Sequence, residues 1–362
     1  MLKFSKSFDW FLLFIAFCIL SAGILILASV STAFSQEKVG NPYYFLKSQI
    51  VKGVIPGLIL AIFAFGIKLN FLKKFSLILL IVNLILMGLV FLPNLGIKRL
   101  GAVRWLDLGL ISLQPSEFLK LTSILYFSAW LSNKEKRGEK ESLIAFLLIC
   151  VFIGVFLVLQ PDISTLGIII MISILMYFVA GNPLWHSFLM IVGGGLLGLL
   201  IIRFKPYRLN RILAFLNPEK YSTTIGYQIK QALMAVGSGG LTGLGLGMSR
   251  QKFGFLPQSI SDSIFAIFAE ETGFIGCSIL ILLFLFLFWR GFRIAKNSKD
   301  EFSKLLAFGI TSWIMLQTLI NIGSITKLLP LMGVPLPLVS YGGSALVSEL
   351  IGVGILLNVS KL

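Results

Sequence analysis

Long uninterrupted apolar runs dominate this sequence. A bilayer core about 30 Å thick requires about 20 apolar residues for one helical span. Ten runs of that order occur, at about 10–34, 48–68, 75–93, 117–132, 142–160, 163–180, 184–203, 264–289, 305–326 and 339–358. They are continuous Leu, Ile and Phe stretches without the alternation of membrane barrel strands. The pattern therefore predicts an all-α integral membrane protein with about ten transmembrane helices.

Composition supports one membrane domain over residues 1–362. The chain is 57% hydrophobic and only 13% charged, whereas water-soluble domains are about 45–50% apolar and about 25% charged. The first run is too long, and too poor in small residues at a cleavage site, for a removable signal peptide, so we expect it to be retained.

The positive charge predicts both a partner and an orientation. With 31 Lys and Arg against 15 Asp and Glu the net charge is +16, which in a membrane protein favours lipid phosphates rather than nucleic acid. If the N-terminus is cytoplasmic, fifteen positive residues lie in the inner segments, as the positive-inside rule requires. Ten spans then place both termini in the cytoplasm of a multi-pass protein in the cytoplasmic (inner) membrane. Residues 204–263 become a large extracytoplasmic loop between helices 7 and 8.

Cysteine and histidine offer little chemistry. The three cysteines lie in or beside apolar runs, so neither a disulfide framework nor a zinc cluster is predicted. The single histidine, His186, falls in the predicted inner link between spans six and seven. A base at an outer site must therefore be a carboxylate.

Carboxylates at or within the spans are the first candidates, because an ionised group in hydrocarbon is costly and usually faces a protein-lined cavity. They are Glu117, Asp162, Asp262, Glu270, Glu271 and Glu349. Glu117 and Lys120 share one helix face after the Pro115 helix start, where an alternative is a local salt bridge with no further role. Glu270 and Glu271 are alternatively anchors of helix packing, and Glu349 is expected to be paired internally.

The glycine-rich segment 237–247 is the second candidate. Its glycines, with Ser238, permit tight turns and close approach of a ligand or another helix. Basic residues follow and precede it, namely Arg250 and Lys252 downstream and Lys205, Arg208 and Arg211 upstream. They could hold pyrophosphate oxygens; the alternative is plain attraction to anionic head groups.

Asp262 has two interpretations. Ser259 to Asp262 fits an S-x-x-D capping pattern at the start of the eighth span, where the helix dipole favours a carboxylate. A carboxylate fixed there, beside cationic residues, is also where a general base would act.

Three blocks together resemble the SEDS family of FtsW and RodA proteins. They are G-A-V-R-W-L-D-L-G (101–109) with Q-P-S-E-F-L-K (114–120), the glycine block through Asp262, and P-L-P-L-V-S-Y-G-G-S (335–344). The resemblance spans nearly the whole chain, and residues 245–252 with Asn217-Pro218-Glu219 are closer to FtsW than to RodA. One departure is that the family's Glu after Leu-Pro and its His-Thr before the Asp are Gln258 and Ile260-Ser261 here. The chain therefore offers one acid fewer for shared cation binding.

The resemblance implies a ten-helix peptidoglycan glycosyltransferase that polymerises lipid II with inversion at the outer membrane face, in cell division or elongation. Asp262 matches the family's catalytic aspartate, Glu117 and Lys120 match residues lining a central cavity, and Arg104 matches the R-W arginine. We expect Asp262 to be catalytic, and the substrate-binding residues to be Arg104, Glu117, Lys120, Arg208, Ser238, Arg250 and Lys252.

The expected partners are lipid II, the membrane and, from the resemblance, a class B penicillin-binding protein transpeptidase. No nucleic acid is expected. No cofactor is assigned, and a divalent cation (Mg²⁺ or Mn²⁺) is a candidate. Two other functions stay open: a lipid II flippase, in which Glu117, Lys120, Asp162 and Glu349 would matter more than Asp262, and a non-catalytic scaffold for a transpeptidase.

Overall fold

The computed structural model describes residues 8–99, 102–109, 112–133, 139–203, 206–221 and 225–361. Each predicted apolar run coincides with a helix. The bounds are α1 Trp10–Val39, α2 Tyr44–Gln49, α3 Ile55–Gly66, α4 Leu69–Leu89, α5 Pro115–Leu131, α6 Glu139–Leu159, α7 Ile163–Val179, α8 Leu184–Arg203, α9 Pro206–Leu216, α10 Ile225–Ser238, α11 Ile264–Asn297, α12 Glu301–Ile325 and α13 Gly343–Val359. A π-helical turn, Ile50–Val54, joins α2 and α3 into one span, Tyr44–Gly66.

The helices confirm a multi-pass membrane protein. Within the described ranges, six helices are long and apolar enough to cross a bilayer, and α7, most of α8, and α13 are shorter apolar helices. The one predicted span not yet accounted for, the fourth along the chain, is α5, which carries the charged pair Glu117 and Lys120.

Small residues allow the α3 and α13 backbones to approach closely. A Cβ atom at Gly57 would lie 2.6 Å from Leu350 Cδ1, and one at Gly354 would lie 2.4 Å from the carbonyl oxygen of Ala61. Such packing is the main source of helix association in lipid, where burial of apolar surface drives little.

Among the helix boundaries that differ from the predicted ones, two are set by local structure. Helix α4 ends at Leu89, and the chain then forms an antiparallel sheet with the order β1 (Gly96–Arg99), β2 (Ala102–Asp107) and β3 (Ser112–Leu113). Helix α13 begins at Gly343 instead of 339, because the preceding prolines and a positive φ at Leu338 hold the chain irregular. His186 also lies elsewhere than predicted: it is in the first turn of α8, buried, with Nδ1 3.0 Å from the Tyr177 hydroxyl.

The segment predicted as one long loop contains regular structure. It holds α9, a 3₁₀ turn at Pro218–Tyr221 and α10 before an irregular stretch leads to α11. Ala214 of α9, Ile229 of α10 and Leu331 form a small separate apolar cluster that fixes this segment to the chain before α13.

Helix α11 is broken at Gly273, which has φ 64° and ψ −162°. The glycine-rich loop supplies the hydrogen bonds that the break removes. Its Leu244 and Gly245 amides donate to the carbonyl oxygens of Glu270 and Glu271, both at 3.0 Å, and its Gly240 and Leu241 carbonyls accept from Phe274 and Ile275, at 2.9 and 3.1 Å. The predicted close approach of the glycines is therefore to a helix backbone.

Candidate functional site

Asp262 lies two residues before α11, and its half-buried side chain is not a helix cap. The N-cap residue is Ser263, and it makes no side-chain capping bond. The Asp262 main chain is fixed instead, because its carbonyl oxygen accepts from Asn321 Nδ2 at 2.8 Å. Asn321 Nδ2 also donates to the Val334 carbonyl oxygen at 2.7 Å. The amide thus ties the start of α11 to the chain before α13.

The surroundings of the Asp262 carboxyl control its proton affinity. Burial raises the pKa of Asp262 to about 6, the guanidinium groups of Arg211 and Arg104 act to lower it, and the Glu117 carboxylate acts to raise it. Gly333 lies directly against the group, since a Cβ atom there would be 3.1 Å from Asp262 Oδ2 and 4.0 Å from Arg211 Nη1. The Arg211 Nη1 donates to the Leu331 carbonyl oxygen at 3.3 Å.

Arg104 reaches the site from β2. Its Nε donates to the Gln160 carbonyl oxygen at 3.1 Å, and its Nη2 to that of Pro161. Its Nη1 lies 3.9 Å from Oδ1 of Asp162, and the side chain remains 27% exposed. Asp162 in turn caps α7 and accepts from the Ser116 hydroxyl at 3.0 Å. Backbone carbonyls therefore position a guanidinium that still meets solvent.

Glu117 and Lys120 form a buried salt bridge of 2.7 Å. The Lys120 Nζ also donates to Gln317 Oε1 at 2.9 Å, and Gln317 Nε2 donates to Glu349 Oε1 at 3.0 Å. The other Glu349 oxygen accepts from the Leu338 amide at 2.7 Å. One polar network thus joins α5, α12 and α13, and Glu349 is paired internally as predicted.

Lys252 and Arg250 lie around the break in α11. Lys252 is buried, with Nζ 3.2 Å from Glu271 Oε1 and 2.6 Å from the Gly247 carbonyl oxygen. Glu270 accepts from the amides of Arg250 and Gln251 at 3.1 and 3.3 Å and from the Ser249 hydroxyl. The two acids anchor packing, as one of their interpretations held, while the Arg250 side chain is exposed.

The remaining predicted residues are placed as follows. Ser238 is the last residue of α10, and its hydroxyl donates to the Ala235 carbonyl oxygen at 2.9 Å. Arg208 belongs to α9, and its side chain lies outside the described residues. The structure brings Arg104 and Glu117 into the electrostatic surroundings of Asp262 and adds Arg211 and Gly333, which sequence reasoning did not place there. The one available signal was the position of Arg211 among the basic residues upstream of the glycine block.

The described part of the chain contains no site at which side-chain ligands alone would coordinate a divalent cation. No group of three or more His, Cys, Asp and Glu side chains is close enough there to share an ion. Asp262 offers one carboxylate beside two arginines, and Mg²⁺ held by one carboxylate completes its coordination with water and substrate phosphates.

These features define a class: a multi-pass helical membrane protein with one half-buried carboxyl, flanked by arginines, at one end of a broken helix. The family model described as "Cell cycle protein", which covers FtsW, RodA and SpoVE, matches residues 9–362. The chain therefore belongs to the FtsW/RodA/SpoVE family, and the predicted membership is confirmed.

The chain is similar in sequence to known proteins over nearly its whole length. It is 39% identical to stage V sporulation protein E of Bacillus subtilis over 98% of this chain and 97% of that protein. It is 38% identical to the probable peptidoglycan glycosyltransferase FtsW of Coxiella burnetii, over 98% and 97%. The predicted similarity to FtsW is confirmed.

Two solved structures share the fold. A chain of a peptidoglycan synthase complex, described as showing structural coordination of polymerization and crosslinking, has a TM-score of 0.79 and 26% identity, covering 98% of both chains. The Thermus thermophilus rod shape determining protein RodA has a TM-score of 0.73 and 26% identity, covering 98% of this chain and 97% of that one.

Proposed function

We propose that this protein is a peptidoglycan glycosyltransferase that polymerises lipid II into glycan strands, with Asp262 as the general base. The family and the names of its relatives support the reaction class. The observation that carries the site is the position of the Asp262 carboxyl, which is half-buried against Gly333 near the Arg211 guanidinium. Burial there raises the pKa of Asp262 to about 6, while Arg211 and Arg104 act to lower it. A base whose pKa lies near the working pH combines proton affinity with a large ionised fraction.

The reaction is an inverting transfer between two lipid-linked disaccharides. The acceptor 4-hydroxyl loses its proton to Asp262 while its oxygen forms a bond to the donor anomeric carbon. The bond from that carbon to the pyrophosphate oxygen breaks, and undecaprenyl pyrophosphate leaves with the electron pair. Asp262 then releases its proton to water. Arg104 and Arg211 stabilise the charge that develops on the pyrophosphate, because arginine pairs with phosphate oxygens through two parallel hydrogen bonds.

The other predicted residues take supporting roles in this proposal. Arg250, exposed beside the glycine loop, contacts pyrophosphate oxygens, with Arg208 and Ser238 at the same outer segment. The buried Lys252 holds that loop through Glu271. The buried network of Glu117 and Lys120 holds α5 against α12 through Gln317 and contributes to the electrostatic surroundings of Asp262. A divalent cation, if used, is bound together with the substrate phosphates.

We place Asp262 outside the cytoplasm and both termini inside it. The positive-inside rule supports this orientation, because the far end of α11 and the residues just after it are basic: Arg290, Arg293, Lys296 and Lys299. Cysteines introduced separately at Glu219 and Lys299, with the three native cysteines replaced, test it. A membrane-impermeant maleimide added to intact cells should label only the Glu219→Cys variant, and labelling of Lys299→Cys instead would reverse the topology.

We further propose a class B penicillin-binding protein transpeptidase as partner. The similar chain from a complex that coordinates polymerization with crosslinking supports this pairing. Co-purification of the two proteins from native membranes is the direct check.

The decisive experiment is polymerisation of purified lipid II by the purified protein in detergent. Asp262→Asn should abolish glycan chains on a gel while leaving the melting temperature and the monodisperse elution profile unchanged. Glu219→Gln, which neutralises an exposed acid in the same segment, is the matched control and should retain full activity. Full activity in Asp262→Asn would remove Asp262 from the chemistry. Wild-type protein that moves lipid II across vesicles without forming polymer would support the flippase, and wild-type protein inert in both assays would support the scaffold.

A further inference from the structure

A polar cavity lies at the opposite face of the bundle from Asp262. It has a volume of about 240 Å³ and is lined by Asp9, Arg290, Arg293, Asn297 and Ser360 among others. The part of α11 that follows the Gly273 break, residues 274–297, spans about 36 Å at 1.5 Å per residue, which exceeds the bilayer core of about 30 Å. Its two ends therefore lie on opposite sides of the membrane, and no part of the proposed reaction uses this cavity.

One wall of the cavity is rigid. The Asp9 carboxylate caps α1 by accepting from the Leu12 amide at 3.0 Å, and it forms a salt bridge with Arg290 Nε. The Asp9 amide donates to the Ser360 hydroxyl oxygen at 3.1 Å. These contacts join the start of α1, the end of α11 and the end of α13. The Arg290 guanidinium is consequently fixed through Nε, and within the described residues its Nη1 and Nη2 groups donate no hydrogen bond.

The cavity carries a net positive charge. Arg293, one turn after Arg290, is exposed, and among the described residues it forms no salt bridge. The cavity lining thus contains two guanidinium groups and one carboxylate, and that carboxylate forms a salt bridge with Arg290 only. Guanidinium groups bind phosphate oxygens through short charge-assisted hydrogen bonds. The Asn297 amide at the cavity edge adds a neutral donor.

The apolar side chains beside the cavity indicate a lipid. Trp289 lies against both arginines, with its ring centre 5.9 Å from Arg290 Cζ and 5.4 Å from Arg293 Cζ. Trp289 is 51% exposed, the exposed ring of Phe11 lies next to it, and the exposed ring of Phe286 lies next to Phe11. Tryptophan is enriched at the depth of lipid head groups. An acyl chain would follow the two phenylalanine rings into the bilayer.

We propose that this cavity binds the head-group phosphate of an anionic phospholipid. The phosphate accepts hydrogen bonds from Arg293 and Arg290, and an acyl chain lies over Phe11 and Phe286. Inorganic phosphate shares the head-group chemistry but lacks the apolar part. The contribution of Trp289 and the phenylalanines therefore distinguishes the two sources.

Native mass spectrometry of the purified full chain in neutral detergent tests the proposal, with dioleoylphosphatidylglycerol, dioleoylphosphatidylcholine or inorganic phosphate added. We expect retention of phosphatidylglycerol by the wild type, about tenfold less by Arg293→Gln because charge-assisted hydrogen bonds are lost, and little phosphatidylcholine. Lys299→Gln is the matched control: it removes one exposed positive charge from the same end of the bundle outside the cavity lining, and it should change retention less than twofold.

Two further arms identify the ligand source. Trp289→Ala should lower phosphatidylglycerol retention several-fold, and inorganic phosphate in hundredfold molar excess should leave it unchanged. Equal retention by Arg293→Gln and the wild type, or an equal loss in Lys299→Gln, would overturn the site. Displacement of the lipid by inorganic phosphate would overturn the assignment to a phospholipid.

Discussion

The Asp262 carboxylate lies against the backbone of Gly333, so closely that a Cβ atom at that glycine would be 3.1 Å from Oδ2. Gly333 also has φ +68°, which an L-residue adopts at a cost of about 1–2 kcal/mol. A side chain at 333 would therefore crowd the carboxyl group of the candidate base and displace it relative to Arg211.

Gly333→Ala should lower the turnover number for lipid II at least tenfold and the free energy of unfolding by about 1–2 kcal/mol. The measurement is a polymerisation time course paired with unfolding in mixed micelles. Gly195→Ala is the control, because Gly195 lies in α8 with no neighbouring atom within 4 Å of an added Cβ. Equal activity in Gly333→Ala and the wild type would mean that the carboxylate does not need this position.

The pH dependence of polymerisation should report the ionisation of Asp262. With a pKa of about 6, the base is protonated below pH 6, so the logarithm of kcat/KM should fall by one per pH unit there and level off above it. The Arg211 guanidinium lowers this pKa, so Arg211→Gln should move the midpoint to higher pH. Lys220→Gln, an exposed change in the same segment, should leave the midpoint in place. A midpoint that stays fixed or moves to lower pH in Arg211→Gln contradicts the assignment.

Breaking the buried ion pair from one side should destabilise the bundle. Lys120→Met leaves the Glu117 carboxylate, which lies 2.7 Å from Lys120 Nζ, without its cation, and the expected loss of unfolding free energy is about 3–5 kcal/mol. The double variant Glu117→Gln with Lys120→Met removes both charges and should recover most of that loss. A double variant as unstable as Lys120→Met would show that the charge of Glu117 is not the cause.

The break in α11 should tolerate no side chain. A Cβ atom at Gly273 would lie 2.4 Å from the Gly243 amide nitrogen, at a residue with φ +64°. Gly273→Ala should therefore lower the melting temperature by several degrees and reduce polymerisation, while Gly195→Ala changes neither. An unchanged melting temperature in Gly273→Ala would mean that the loop readily moves aside.

The sequence was informative where one physical rule decides the outcome. Hydrocarbon thickness predicted ten apolar spans, each of which coincides with a helix. The i,i+3 spacing of Glu117 and Lys120 placed them on one helix face, where the alternative interpretation, a local salt bridge, is found. The sheet at 96–113 gave no comparable signal, because its strands are short. Nor could spacing predict that Gly333 meets Asp262, since 71 residues separate them along the chain. The sequence left open whether Asp262 caps α11, acts as a base, or does both. The structure excludes the cap, because the N-cap residue of α11 is Ser263.

The Gly273 break has a consequence for engineering the protein. The amides of Phe274 and Ile275 and the carbonyls of Glu270 and Glu271 pair with the glycine loop, and each would be costly if left unsatisfied in hydrocarbon. A fluorescent protein or epitope inserted between 239 and 245 would therefore remove the hydrogen-bond partners that connect the two parts of α11. An insertion at the exposed 3₁₀ turn near Glu219 would leave these hydrogen bonds intact.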